Sequence, residues 1–369
     1  MPQEFSPGLE GVVVAQTEVS EVDGARGRLI YRGGYLIQEL AGRSFEEIAH
    51  LLWTGRLPDE RELGDLKRQL SAGRDLNSQA AAALRGLQAS VDPMDALRTG
   101  LSAQGAQTGC PAPSLDQAIA YSAVLPTIVA AFYRQASGLD WVPPRPELGH
   151  AANFIWMMSG TEPDPHRSRW LETYLVLLAD HGLNASTFAA RVVASTGADL
   201  CSALVGAIGA LKGPAHGGAA TAALRMLEQV GGPGNADRFV RDRLAGGHRL
   251  MGFGHRIYRT YDPRARILRD LAERANPEFF GVASAVEEAA LRELLARHPE
   301  RPNATNVDYY SAGILQAAGF PTGYFACVFA VARVAGWSAH VLEYMDRDGR
   351  LLRPASQWIG EDPDRRSST

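Results

Sequence analysis

Apolar residues recur at spacings of three and four along almost the whole chain, and Pro or Gly interrupts the pattern again and again. A period near 3.6 puts such residues on one face of a helix and cannot serve a pleated strand, whose faces alternate every second residue. The chain is therefore committed to many packed helices. The pattern predicts helical blocks at about 44–57, 60–71, 77–89, 93–105, 115–136, 148–159, 167–179, 184–195 and 197–211. Further blocks fall at about 218–230, 236–245, 263–274, 283–297, 307–318 and 323–343. In "SFEEIAHLLWTGRLP", Ser44 can cap a helix, Glu47 completes a capping box, and Leu57-Pro58 marks the expected end. One stretch, "EVDGARGRLIYRGG", has the residue types of strands and predicts a short hairpin closed by Asp23 and Gly24. The expected class is all-α with a short N-terminal β-hairpin.

A hydrophobic fraction of 46% over 369 residues supplies ample core. A formal charge of −4 offers no global attraction to nucleic acid or to an anionic membrane, so any anion site must be local. Only Lys67 and Lys212 are lysines, so the other 35 of the 37 basic residues are arginines, a bias of composition and not of function. Cys110, Cys201 and Cys327 are widely spaced without a CxxC pair; buried free thiols are expected, and no disulfide framework or thiolate metal site. "MPQEFSPGLEGVVV" has neither a basic n-region nor an apolar h-region, and no uninterrupted apolar run reaches about 18 residues, so a cytoplasmic prokaryotic protein is expected. The final "EDPDRRSST" reads as a loose polar tail.

Chemistry concentrates in a few segments. On the predicted helix near 323–343, Phe325, Val328, Phe329, Ala332 and Gly336 form an apolar stripe, and Arg333 falls on it. A core-facing guanidinium needs an anion, either an internal carboxylate or a bound acid. In "MGFGHRIYRTYDPRAR", Gly252 and Gly254 present His255 from a tight turn, Asp262 can cap the next helix, Pro263 suits its first position, and Arg264 enters its first turn. An arginine there opposes the helix dipole unless an anion is bound beside it; the bland alternative is a surface arginine. "LKGPAHGGAA" places His216 at a helix start, where the dipole favours a neutral imidazole. In "NATNVDYYSAG", Asp308 is either a first-turn carboxylate or a general base. "DHGLNASTFAARVVAST" sets His181 in a break ahead of an Asn-Ala-Ser-Thr helix start.

Together, "HGLNASTFAARVVAST", "LKGPAHGGA", "MGFGHRIYRTYDPRA", "NVDYYSAG", "FAVARVAGW" and "LLRP" resemble, in order, the motifs of the citrate synthase family. The likeness extends from "GLEGVVVAQTEVSEVDG" through "LLWTGRLP", "DPMDALR" and "AANFIWMMSG" to the C-terminus. It implies an almost wholly helical dimer, with residues 1–217 and 314–369 in a large domain and 218–313 in a smaller mobile one. It implies condensation of acetyl-CoA with oxaloacetate and thioester hydrolysis to citrate and CoA. Asp308, His216 and His255 would be the catalytic set: Asp308 removing a methyl proton, His216 bonding to the thioester oxygen, His255 polarising the oxaloacetate carbonyl. His181, Arg264 and Arg333 would hold the oxaloacetate carboxylates, with Arg353 reaching in from the other subunit. Arg259, Arg256 and Arg301 would meet coenzyme A phosphates. The resemblance implies no permanently bound cofactor and no metal, and the histidines lack the short spacing of a zinc site.

The chain departs from the family pattern in "HGGAAT", where many members read His-Gly-Gly-Ala-Asn-Glu, in Tyr309 where Phe is common, and in an extra glycine in "YRGGY". Two rival functions remain: a 2-methylcitrate synthase using propionyl-CoA through the same residues, and a non-catalytic metabolite-binding homologue. One methylene in an apolar pocket discriminates by only about 1–3 kcal/mol. Retention of His216, His255, Asp308 and the arginines speaks against the second rival.

Overall fold

A computed structural model describes residues 5–106, 110–299 and 304–360. The N-terminal part pairs β1 (Ser20–Asp23) with β2 (Arg28–Tyr31) antiparallel, and β2 in turn with β3 (Tyr35–Leu36). The hairpin is the one expected; the two-residue β3 and the four-residue helix α1 (Ile37–Leu40) are too short to leave a periodic signal.

Among the described residues the remaining regular elements are helices, apart from one isolated bridge between Phe253 and Thr305. The first half holds α2 (Phe45–Thr54), α3 (Glu60–Ala72), α4 (Ser78–Arg85), α5 (Pro93–Gly105), α6 (Leu115–Ala136), α7 (His150–Ser159) and α8 (Pro165–Leu178). The second holds α9 (Ala185–Ala194), α10 (Leu200–Leu211), α11 (Ala219–Glu228), α12 (Ala236–Ala245), α13 (Pro263–Ala275), α14 (Pro277–Arg297), α15 (Val307–Ala317) and α16 (Phe325–Arg347). Side-chain caps set many of the starts. Ser44 and Glu47 form the predicted box at α2, and Asp59, Asn77, Asp92, Ser114, Asp164, Asn184, Asp199, Asp262, Asn276 and Asn306 accept first-turn amides elsewhere.

Three boundaries differ from expectation for local reasons. α2 stops at Thr54, not at Leu57-Pro58, because Gly55 takes a left-handed cap and donates its N–H to the Leu51 carbonyl. α14 begins at Pro277, well before 283, because Asn276 caps it and proline suits the first position. α16 runs on to Arg347.

α16 is buried nearly all round and packs against α2, α6, α8, α9 and α10. α6 and the segment Thr322–Arg347 are long and apolar enough to cross a membrane by length and composition, yet both are wrapped by other helices as core. α11 to α15 pack mainly on one another and meet the rest through α13 against α1 and α8 and through α15 against α8. Cys201 and Cys327 are buried as expected, but Cys110 is exposed, so the expectation of three buried thiols fails there.

Candidate active site

The site grows from helix ends and the turns between them. After α8 the chain turns through Asp180, His181 and Gly182, and Asn184 starts α9 by accepting the Ser186 and Thr187 amides. His181 is buried; its Nε2 lies 3.3 Å from the Tyr258 hydroxyl, and its ring meets that of His255 edge-on at 5.3 Å. Burial, reinforced by Arg264, His255 and Arg333, holds its pKa well below the ordinary value, so the ring is neutral.

The loop from Met251 to Asp262 carries His255. Gly252 (φ +84) comes so close to α15 that a Cβ would lie 2.5 Å from the Tyr309 ring, which explains the glycine. The loop is laced to the start of α15: Gly254 N–H donates to the Ala304 carbonyl, Asn306 N–H to the Gly252 carbonyl, and Asn306 Nδ2 to the Gly254 carbonyl. His255 Nδ1 accepts the amides of Ile257 and Tyr258, each at 3.0 Å. A ring nitrogen that accepts carries no proton, so in the neutral imidazole the proton sits on Nε2. Burial and then Arg264 lower the His255 pKa to about 4.

Asp262 caps α13 as predicted and does more. Its Oδ1 accepts from Arg264 Nε at 3.1 Å and its Oδ2 from Arg264 Nη2 at 2.8 Å, while Oδ2 also takes the Val307 amide. Arg264 is thus a buried cation held on one edge by a neighbouring carboxylate. Arg333 differs. It is 1% exposed, its Nε donates to the Leu178 carbonyl at 2.7 Å, its guanidinium lies over the Phe329 ring, and no carboxylate among the described residues hydrogen-bonds to it. Asp180 is the nearby countercharge: burial pushes that carboxyl up, but His340 and Arg333 bring it below its ordinary value overall.

His216 stands in the turn before α11, with its pKa lowered to about 4 by burial and by Arg333. Its Nε2 is 2.9 Å from Ser186 Oγ, which also receives the Trp337 indole N–H at 3.0 Å and lies 2.7 Å from Asn184 Oδ1. Asp308, second residue of α15, is half-buried. Desolvation raises its pKa to about 6, with Arg264 and Arg333 opposing and Asp262 adding to the rise.

Fields and contacts therefore gather six predicted residues, His181, His216, His255, Arg264, Arg333 and Asp308, into one region. Behind it, Arg191 Nη2 donates to Glu343 at 2.6 Å and to His340 Nδ1 at 2.8 Å, and His340 Nε2 lies 3.3 Å from Asp180. Other predicted residues are not brought in. Arg256 is exposed with Nη2 on the Gly8 carbonyl, Arg259 is exposed with its backbone N–H on the Gly24 carbonyl, and Arg353 is exposed on the segment after α16. Arg301 lies outside the described residues. A groove of about 1030 Å³ beside α8, α11, α14 and α15 contains none of these groups.

Sequence reasoning missed Tyr258, Ser186 and Asn306 as parts of the site, and Asp262 as an ion-pair partner. Asp262 and Asn306 are readable only as caps, Ser186 only as a first-turn residue, and Tyr258 only as one aromatic in a basic loop.

The citrate synthase C-terminal domain model matches residues 8–355. A citrate synthase of Deinococcus radiodurans is 40% identical over 363 residues, 96% of each chain. A 2-methylcitrate synthase of Mycobacterium tuberculosis is 38% identical over 97% of this chain and 91% of its own. The solved ternary complex of carboxymethyl coenzyme A and oxaloacetate with citrate synthase from Thermoplasma acidophilum superposes with a TM-score of 0.91 at 31% identity, covering 97% of each chain. A model match over nearly the whole length, with relatives of this identity and a shared helical architecture, means that the chain belongs to the citrate synthase family.

Proposed function

We propose that this chain condenses acetyl-CoA with oxaloacetate and hydrolyses the resulting thioester to citrate and CoA. The observation that carries the reading is Arg333, a guanidinium buried to 1% exposure that among the described residues has a single carbonyl acceptor and no carboxylate bonded to it. A cation in that state is costly to hold, and a dicarboxylate supplies the missing oxygens; Arg264 and His181 stand beside it for the second carboxylate.

The proton chemistry follows from the hydrogen bonds. Asp308, with a pKa near 6, is mostly ionised at neutral pH and more basic than an ordinary carboxylate, which suits removal of a methyl proton from the acyl thioester. In the structure the Ser186 hydroxyl donates to Asn184 Oδ1 at 2.7 Å; because two backbone amides also serve that oxygen, the hydroxyl turns its proton to His216 Nε2, 2.9 Å away, when the thioester binds. That places the His216 proton on Nδ1, and this N–H stabilises the oxygen of the forming enolate. The enolate carbon attacks the ketone carbon of oxaloacetate, while His255 Nε2–H donates to the ketone oxygen as it becomes alkoxide. Water then cleaves the citryl thioester and CoA leaves as the thiol. Each placed acid or base contributes about 10²–10⁴ in rate.

The reading includes an arrangement carried over from the family: a cytoplasmic homodimer in which the partner subunit's Arg353 completes the dicarboxylate site. Residues 218–313 form a mobile domain, which fits the mutual packing of α11 to α15. Arg259, Arg256 and Arg301 meet the coenzyme A phosphates, and the exposure of the first two suits that role. No cofactor stays bound. The relative named 2-methylcitrate synthase favours one second reading, propionyl-CoA as acyl donor. Thiol release measured with oxaloacetate and each acyl-CoA decides: a higher kcat/KM for acetyl-CoA is expected, a strong preference for propionyl-CoA selects the second reading, and oxaloacetate binding without thiol release refutes both.

A further inference from the structure

We infer that the β1–β2 hairpin is a strut fixing the loop of His255 and Arg259 against the His181 turn, with Gly24 as its positioning residue; this rests on the condensing reading above. The base of the hairpin is welded to the His181 turn. Tyr31, fully buried on β2, donates its hydroxyl to the Asp180 carbonyl at 3.1 Å and accepts the Asp180 amide at 3.0 Å. Ser20 on β1 donates to the Asp180 carboxylate and accepts the Gly182 amide at 2.9 Å. The tip is seated on the other loop. The Gly24 carbonyl accepts the Arg259 amide at 3.0 Å, and a Cβ at Gly24 would lie 2.1 Å from the Ile257 carbonyl oxygen. A Cβ at Gly27 would lie 2.3 Å from Thr260 Oγ1. Asp23 holds the turn in shape by accepting from the Arg26 amide and from Arg28 Nη2.

Gly24 is informative because its φ is not left-handed, so its own backbone admits alanine and only the facing loop objects. The Ile257 carbonyl it would strike shares a peptide unit with the Tyr258 amide, one of the two that orient His255 Nδ1, and the Arg259 amide is bonded to Gly24 itself. A methyl group there must displace Ile257, and with it the imidazole and the neighbouring guanidinium. A misplacement of about 1 Å can cost on the order of 10²-fold in rate.

The test is Gly24→Ala, read by thiol release and by hydrogen exchange. Expected are a fall of at least about tenfold in kcat/KM for acetyl-CoA, faster exchange at the Arg259 amide, unchanged exchange at the Asp180 and Gly182 amides, and a lowered but still cooperative melting transition. Wild-type kcat/KM with unaltered Arg259 exchange overturns the strut. If the unsubstituted protein releases no thiol, the condensing reading fails, and the exchange measurement still decides whether the hairpin holds the loop. Should Gly24→Ala not fold, a double-mutant cycle replaces it. Gly27 has a left-handed φ of +61, so Gly27→Ala carries backbone strain besides the clash; Thr260→Ala removes the atom that the new Cβ would strike and should recover part of the activity or soluble yield lost, and strictly additive losses overturn the inference.

Discussion

Asp308→Asn should make a dead enzyme that is more stable than the original at neutral pH. Burial raises the Asp308 pKa from 3.8 to about 6 despite two nearby arginines, so the folded state holds this carboxylate in its charged form at a loss. At about 1.4 kcal/mol per unit, the loss approaches about 3 kcal/mol near pH 7. A raised carboxyl pKa means the native state binds more protons than the unfolded chain between about pH 4 and 6. The penalty therefore shrinks as pH falls through 6, to roughly half by pH 5 and little by pH 4. Asn keeps the shape and has no charge to desolvate, but it gives up a first-turn carboxylate worth about 0.3–1 kcal/mol. With partial exposure also counted, the expected gain at pH 7 is about 1–3 kcal/mol, or several degrees in Tm. Calorimetry of both proteins at pH 7.5 and pH 5, beside thiol release, tests this. A variant less stable than wild type at pH 7.5, or a gain that grows on acidification, refutes the reasoning. The same group predicts that wild-type kcat/KM falls with a one-proton slope below about pH 6, because His216 and His255, both near 4, stay neutral there.

Arg333→Met should raise the oxaloacetate KM at least about 100-fold while leaving Tm equal or higher, because a buried cation with one acceptor is replaced by an apolar chain of similar reach; a KM within threefold of wild type removes the dicarboxylate anchor from the scheme. Ser186→Ala should lower kcat about 10- to 100-fold with a smaller change in oxaloacetate KM, through loss of the bond that sets the His216 tautomer. Urea unfolding of Glu343→Gln should show a loss of about 3–5 kcal/mol, because Arg191 is left buried without its carboxylate; a near-neutral result would mean that His340 and the Tyr344 ring suffice.

Elements were legible where local chemistry repeats. Ser44 with Glu47, and Asp262 with Pro263, announce helix starts that the structure reproduces, and the all-α reading follows from periodicity alone. The start of α14 was not legible, because "NPEFFGVAS" carries Pro and Gly that usually end helices, although here the proline opens one. Within the site, His216 and His255 stand out through their glycines, and Arg333 through its place on an apolar stripe. What escaped is what only tertiary contact creates. Ser186 bridges a histidine 30 positions later and a tryptophan 151 positions later, and no local pattern marks such a hydroxyl. Arg264 reads in the sequence as a residue awaiting an anion, yet Asp262, whose sequence signal is that of a cap, already fills part of that need.

All three imidazoles of the cluster are held neutral, so its lasting positive charge resides on Arg264 and Arg333, which do not titrate in any cellular range. Attraction for a dianion is thereby insulated from swings in ambient acidity, whereas the carboxylate at 308 is not. Mild acid stress would leave the protein occupied but idle, ready to resume turnover as soon as the cell recovers.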